Sequence, residues 1–194
     1  MPHNNTNFEY IGKDDEDIYR PAEDTYLLTK AIKKYNGKIL LEIGVGSGYV
    51  TIELLNNPFV IGTDISIKAL RETQIKLKSF DCNNIELVNC DGASPFRLGI
   101  FNVIVFNPPY LPSEEIIDIT TDGGKEGVEV IEKLIQQSID LVSNFGSIIF
   151  VLSTLSNYKK IVKILEYEGF KVKKRDSCKL FFEEIFILEA LKIC

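Results

Sequence analysis

Apolar and polar positions run through this chain in two rhythms. Residues 101–106 (FNVIVF) form a nearly unbroken apolar, β-branched run, as expected of a strand buried on both faces of a parallel sheet. Comparable runs at 38–43, 59–65, 85–91 and 146–153 predict further strands. Between them the spacing changes to that of helices. Leu27, Leu28, Ala31 and Ile32 share one face of a helix predicted over 22–35, which stops at Asn36-Gly37. A short helix follows GVGSGYV, and Ser66 caps another that carries Ile67, Leu70, Ile75 and Leu77. Residues 127–142 and 157–167 are predicted helices, the second ending at Gly169. Two last strands, near 170–174 and 181–191, have no helix between them.

Strands alternating with helices imply a parallel sheet covered on both faces. The final pair is joined by a turn alone, so the last strand must run antiparallel. The predicted fold class is therefore α/β: a seven-stranded, mostly parallel sheet with the last strand antiparallel and helices on both faces. Residues 1–17, polar and acidic, are expected to form a flexible leader, and residues 18–194 a single domain.

Composition narrows the function classes. No stretch nears the ~18 apolar residues of a membrane span. The N-terminal segment also lacks the basic-then-apolar order of a signal peptide, which makes the cytoplasm the default location. A net charge of -6 is wrong for a protein that holds a long nucleic acid by its phosphates. The one basic cluster, KVKKRDSCK at 171–179, is ordinary for a solvated strand and loop. Cys82, Cys90, Cys178 and Cys194 make no CxxC or Cys/His set, and His3 is the single histidine, so neither a metal site nor a disulfide framework is expected.

Ligands on such sheets bind beyond the C-terminal ends of the strands. The first strand delivers Glu42, Gly44, Gly46 and Gly48 there. Alternate glycines let backbone approach a ligand, although plain tight turns use them too, and the spacing departs from the G-x-G-x-x-G of a dinucleotide site. The second strand ends in Asp64, about 20 residues after Glu42, the offset at which a carboxylate meets ribose hydroxyls. Its bland alternative is a helix N-terminal partner. The third strand ends at Asp91-Gly92, either a simple turn or a carboxylate and an N–H for an adenine edge. Together these residues describe a nucleoside-containing ligand. The loop has no Lys for phosphates, which disfavours a nucleoside triphosphate.

The fourth strand ends in Asn107-Pro108-Pro109-Tyr110. A planar nitrogen, as in an amide or aromatic amine, is a poor nucleophile because its lone pair is delocalised. To attack a carbon it needs acceptors that hold its N–H bonds and orient the lone pair. The Asn107 side-chain oxygen is one such acceptor and the Pro108 carbonyl the other, since proline fixes φ and offers no competing N–H. Tyr110 supplies a flat face. Positioning about 3–3.5 Å from the electrophile is then most of the catalysis. The bland alternative for these four residues is a rigid surface turn.

Glu42 to Gly48, Asp64, Asp91 and Asn107-Pro108-Pro109-Tyr110 resemble class I S-adenosylmethionine-dependent methyltransferases that act on planar nitrogens, with their Rossmann-like fold. YRPAEDTYLL at 19–28 and DGGKEGVEVIEKLI at 122–135 resemble the HemK-type glutamine methyltransferases of translation release factors, most of all their short archaeal and eukaryotic branch. The resemblance implies S-adenosylmethionine as cofactor, with S-adenosylhomocysteine as product, and transfer to the side-chain amide nitrogen of a glutamine in a Gly-Gly-Gln loop. It implies that Gly44, Gly46 and Gly48 approach the methionine part of the cofactor, Glu42 its ammonium, and Thr25 the same end. It further implies Asp64 on the ribose, Ile65 on one adenine face, Asp91 and Gly92 on the adenine edge, and Asn107, Pro108, Pro109 and Tyr110 around the substrate amide, with Asn107 beside the cofactor as well. Two positions depart from the family pattern: Glu126, where Asp is more frequent, and Gly92, where Leu is.

Only the leader and one helix precede Glu42, leaving no room for the helical substrate-docking domain of bacterial-type members. The short branch implies instead a small zinc-binding activator subunit. Its expected dock is the edge formed by residues 85–88, with Ile85 and Val88 at its ends and Phe80 nearby; such an edge needs covering. Two rivals keep the chemistry but change the substrate: the exocyclic amine of adenine in nucleic acid, which the acidic balance disfavours, and protein lysine, whose ammonium lacks planarity. A third is a non-catalytic scaffold, which the intact glycine loop and Asn107 disfavour.

Overall fold

Strand β4 (Phe101–Phe106) lies at the centre of the sheet because each of its faces finds an apolar layer. The structure, a computed structural model, describes residues 18–97, 99–115 and 117–193, so the expected leader over 1–17 lies outside the described residues. The other strands are β1 (Ile39–Ile43), β2 (Phe59–Asp64), β3 (Ile85–Asn89), β5 (Val142–Ser153), β6 (Phe170–Lys179) and β7 (Glu184–Lys192). Their order in the sheet is β3-β2-β1-β4-β5-β7-β6. All pairings are parallel except those of β7, which runs antiparallel between β5 and β6. The chain order reverses between β1 and β4, the switch point at which such sheets hold ligands.

Alternating residues of the inner strands face two cores. On one side Val103, Val105, Leu40, Ile149 and Val151 meet Leu27, Leu28 and Ile32 of helix α1 (Glu23–Ile32) and Val50 of helix α2 (Tyr49–Glu53). On the other, Ile104, Phe106, Leu41, Ile148 and Phe150 meet Ile131 and Ile135 of helix α4 (Glu129–Ser138) and Ile161 and Leu165 of helix α5 (Tyr158–Tyr167). Phe106 and Phe150 stack with ring centroids 5.0 Å apart. Each fully buried aliphatic side chain contributes roughly 1.5–3 kcal/mol, so the β4 end that carries Asn107 is held rigidly from both faces. Helix α3 (Ile67–Leu77) begins as expected, with Ser66 Oγ accepting from the Ala69 N–H at 3.3 Å.

Some boundaries differ from the sequence expectation. Strand β5 starts at Val142, four residues early, because Phe145 (φ +60) makes a bulge opposite Phe101 and Val103 that apolar periodicity does not register. Strand β3 stops at Asn89, where the Cys90 N–H turns to the Asp64 carbonyl at 3.1 Å. Strand β7 starts only at Glu184, since Phe181 and Phe182 occupy a tight turn closed by Leu180 N–H to the Glu183 carbonyl at 2.8 Å. Glu189 of β7 is buried and accepts from Lys34 at 3.2 Å, from Tyr35 and from Arg175, which pins the end of α1 to the sheet.

Candidate active site

A cavity of about 550 Å³ opens where the C-terminal ends of β1 to β4 meet. A side chamber of about 60 Å³ lies next to it at the glycine loop. Their combined size suits a nucleoside-sized ligand. Gly44, Gly46 and Asn107 line both spaces. Glu42, 2% exposed, lines the side chamber, and its Oε2 has no hydrogen-bond partner. Burial, assisted by the nearby Asp64 charge, pushes the Glu42 carboxyl up to about 8. It is therefore mostly protonated at neutral pH, and a cation entering the chamber would ionise it.

Asp64 closes the far side of the glycine loop. Its Oδ2 accepts from the Gly46 N–H at 2.9 Å and its Oδ1 from the Ser66 N–H at 2.8 Å. Burial raises its carboxyl above the usual range even so. These two bonds fix the carboxylate while each oxygen keeps a lone pair for a ligand hydroxyl. Ile65, half exposed, lines the cavity beside it. Beyond β3, Asp91 and Gly92 also line the cavity, and Asp91 Oδ2 accepts from Lys133 Nζ of α4 at 2.5 Å.

Asn107-Pro108-Pro109-Tyr110 forms the opposite wall. The loop at 122–127 holds this segment in place. Gly123 N–H donates to the Leu111 carbonyl at 2.8 Å, and Ser156 Oγ to the Tyr110 carbonyl at 2.7 Å. At Gly127 (φ +67) a Cβ would lie 2.5 Å from the Tyr110 carbonyl oxygen, so only glycine permits this approach. Glu126, the departure noted above, points away to Asn157 and Lys160, both at 3.0 Å, and lines neither space.

The sequence reading missed Asp24, which organises this wall. Its carboxylate, 2% exposed, accepts from Tyr19 Oη at 2.7 Å, Asn107 Nδ2 at 3.1 Å and Tyr110 Oη at 3.2 Å. Burial, together with Asp24, pushes both tyrosine hydroxyls well above their ordinary range, so they remain donors. With its nitrogen engaged, Asn107 is left with a buried Oδ1 that has no partner. Asp24 in the first turn of α1 passes for an acid that complements the helix dipole. The available signal was its spacing: positions 24, 27, 28 and 31 share one helix face, so an acid stands on the apolar stripe.

Thr25 lines only the side chamber, with its hydroxyl donating to Asp24 at 3.2 Å. Gly48 lines neither space. It is the N-cap of α2 with φ +76, and its absent Cβ makes room for Thr73 Oγ1, which a Cβ would meet at 2.7 Å. In the fold Gly48 lets α2 pack on α3. Besides Asp24, the cavity is lined by Tyr19, Lys133 and Glu183, none of which was singled out from the sequence.

The residue pattern can be set beside known proteins. The family model "methyltransferase small domain" matches residues 22–177. The chain is 30% identical over 216 residues to the eRF1 methyltransferase catalytic subunit mtq2 of Schizosaccharomyces pombe, covering 93% of this chain and 92% of that one. It is 32% identical over 173 residues to methyltransferase HEMK2 of Homo sapiens, 79% of each chain. Among solved structures it superimposes with a TM-score of 0.74 and 29% identity on the E. cuniculi Mtq2–Trm112 complex, responsible for methylation of the eRF1 translation termination factor, covering 91% of this chain and 99% of that one. The cleft fits the cofactor of this family: a buried carboxyl with an orphaned oxygen lines the side chamber, and a second carboxyl, fixed by two backbone N–H donors, lines the main cavity. The chain belongs to the methyltransferase small domain family and, within it, to the HemK-type class I S-adenosylmethionine-dependent methyltransferases.

Proposed function

We propose that this chain methylates the side-chain amide nitrogen of a glutamine in the Gly-Gly-Gln loop of a translation release factor. The observation that carries this reading is the buried, unpartnered Asn107 Oδ1 on a cleft wall shared with the nucleoside-sized cavity. An amide N–H is the donor that such an oxygen lacks. The Schizosaccharomyces pombe and E. cuniculi relatives act on eRF1, which supports the same substrate class here. The cleft is also lined by Glu129, Asp122, Glu183 and Asp64 against the single cation Lys133 among the described residues, a lining that repels a phosphate backbone.

S-adenosylmethionine, when bound, supplies a methyl group on a positively charged sulfur that a nitrogen lone pair takes by direct displacement. On this reading Glu42 receives the ammonium of the methionine part, beside the backbone of Gly44 and Gly46 and the Thr25 side chain. Asp64 takes the ribose hydroxyls, Ile65 one adenine face, and Asp91 with the Gly92 N–H the adenine edge. Asn107 Oδ1 and the Pro108 carbonyl accept the two N–H bonds of the substrate amide, turning its lone pair toward the methyl donor. Pro109 and Tyr110 flank the amide plane. The nitrogen gains a carbon and sheds a proton to solvent after transfer, so no strong base is needed. Residues 18–194 act as one catalytic domain in the cytoplasm, alongside translation.

The E. cuniculi relative is solved as a complex with Trm112, and this chain is proposed to pair with a small zinc-binding activator in the same way. The dock is the exposed edge of the sheet at β3, where Ile85, Leu87 and Val88 are only half buried and Phe80 is 48% exposed. The deciding experiment is mass spectrometry of a release factor incubated with this chain and S-adenosylmethionine, with and without the co-expressed activator. One added methyl on the loop glutamine is the expected result. An unmodified glutamine under both conditions refutes the reading.

A further inference from the structure

Asn107 has two chemically opposite ends, and only one of them suits an amide substrate. Oδ1 accepts hydrogen bonds and Nδ2 donates them. The torsion that exchanges them is broad and two-fold, so the shape of the loop alone does not decide which end faces the cleft. The neighbour decides. Asp24 Oδ2 lies 3.1 Å from Nδ2, and a carboxylate only accepts, so the nitrogen must face it. Oδ1 is then the end left buried without a partner on the cleft wall.

Asp24 is itself fixed. Its Oδ1 accepts from the Thr25 N–H at 2.5 Å and the Thr25 hydroxyl at 3.2 Å, while Tyr19 and Tyr110 donate to Oδ2 at 2.7 and 3.2 Å. These donors converge on one buried side chain, which holds it as an acceptor on both oxygens. We infer that Asp24 is a positioning residue that sets the polarity of Asn107, and that it thereby makes the site take a carboxamide and refuse a carboxylate. The inference rests on the glutamine reading above. It assigns the choice of glutamine over glutamate to a residue on α1 and not to the segment after β4.

The Asp24→Asn variant tests this with almost no change of shape. The amide it introduces has one acceptor oxygen, and the Thr25 backbone N–H, which cannot rotate away, claims it. The introduced nitrogen then meets Asn107 Nδ2, donor against donor, and Asn107 turns over to present its own nitrogen to the cleft. The full chain, co-expressed with the proposed activator, is assayed on the release factor and on its Gln→Glu loop variant.

Asp24→Asn should lower kcat on the order of a hundredfold, as for loss of one preorganised polar contact to a reacting group. S-adenosylhomocysteine affinity should stay within about tenfold. The ratio of affinities for the glutamine and glutamate loops should fall about tenfold or more, a ratio that is independent of the active fraction in each preparation. The swap Asp24→Asn/Asn107→Asp exchanges the two groups across the same contact. The amide nitrogen now on α1 donates to one oxygen of the carboxylate now after β4, and the other oxygen returns to the cleft. The swap should recover at least about tenfold of the turnover lost in Asp24→Asn, and it carries the test, by comparison with Asn107→Asp, if the single Asp24 variant does not fold. Turnover and loop preference like the wild type in Asp24→Asn overturn the inference, as does lost turnover with an unchanged loop preference and no recovery in the swap. A wild-type enzyme that leaves the glutamine unmodified overturns the underlying reading instead, and this inference with it.

Discussion

Replacing Glu42 by Gln isolates one buried proton. The wild-type carboxyl titrates near 8 in the folded chain against an ordinary 4.5, chiefly through burial. Between those values the folded state holds a proton that the unfolded chain has released. The associated stabilisation is fully present below 4.5 and disappears as pH rises through about 8. Through Glu42, each unit of pH in that window therefore removes up to about 1.4 kcal/mol from the wild type, a contribution that Glu42→Gln lacks. For a chain of this size that is a change of about 3–5 °C per pH unit in the melting-temperature difference between the two proteins. Asp64, also raised by burial, titrates in both and cancels. Thermal melts from pH 5 to 8.5 measure the difference directly.

The same proton should appear in cofactor binding. On the proposed reading Glu42 must ionise to receive an ammonium, so wild-type affinity for S-adenosylhomocysteine should tighten by up to about tenfold per unit between pH 6 and 7.5. Calorimetry in buffers of different ionisation enthalpy should record close to one proton released near pH 6.5. Glu42→Gln should bind more weakly, with a flat profile and no release. Parallel melting curves and identical proton uptake in the two proteins would falsify the assignment of Glu42 as the buried acid of the side chamber.

Other substitutions separate chemistry from folding. Asn107→Ala should abolish methylation while holding S-adenosylhomocysteine affinity within about tenfold, on the order of 1.4 kcal/mol, in a titration; retained turnover removes Asn107 from the reaction. Gly127→Ala puts a Cβ 2.5 Å from the Tyr110 carbonyl at φ +67. It should cost at least ~2 kcal/mol and lower the melting temperature by about 4–8 °C, with turnover falling further than stability because Tyr110 is displaced; a variant as stable and active as the wild type contradicts this. Phe80→Asp changes an exposed ring. Stability should hold while co-purification with the activator is lost, and an intact complex would move the dock elsewhere.

Much of this fold could be read from the chain because its signals are local. The run at 101–106 became a strand buried on both faces, and Ser66 became a helix cap, since each depends on a few adjacent residues. What escaped depends on distant partners. Phe145 adopts a left-handed backbone only because β5 must keep register with β4, and Phe181-Phe182 turns only because β7 returns between β5 and β6. Gly48 belongs to a loop whose other glycines line the cavity, yet Thr73, 25 residues further on, explains it. No local rule names that neighbour.

The site shows the same division. Glu42, Asp64, Asp91 and Asn107 stand where strands end, and strand ends can be located from periodicity. Asp24 stands on a helix, and it matters only because α1 lies across the switch point between β1 and β4. That placement is itself secured at a distance: Lys34, Tyr35 and Arg175 converge on Glu189, tying the far end of the α1 segment to β7. Leu27, Leu28 and Ile32 fix the rotation of the helix against the sheet, and rotation decides whether position 24 faces Asn107 or solvent. The acceptor that would hold a substrate amide is thus oriented by core packing as much as by the four residues after β4. A rigid core is the physical requirement for a site that works by aiming a weak nucleophile rather than by deprotonating it.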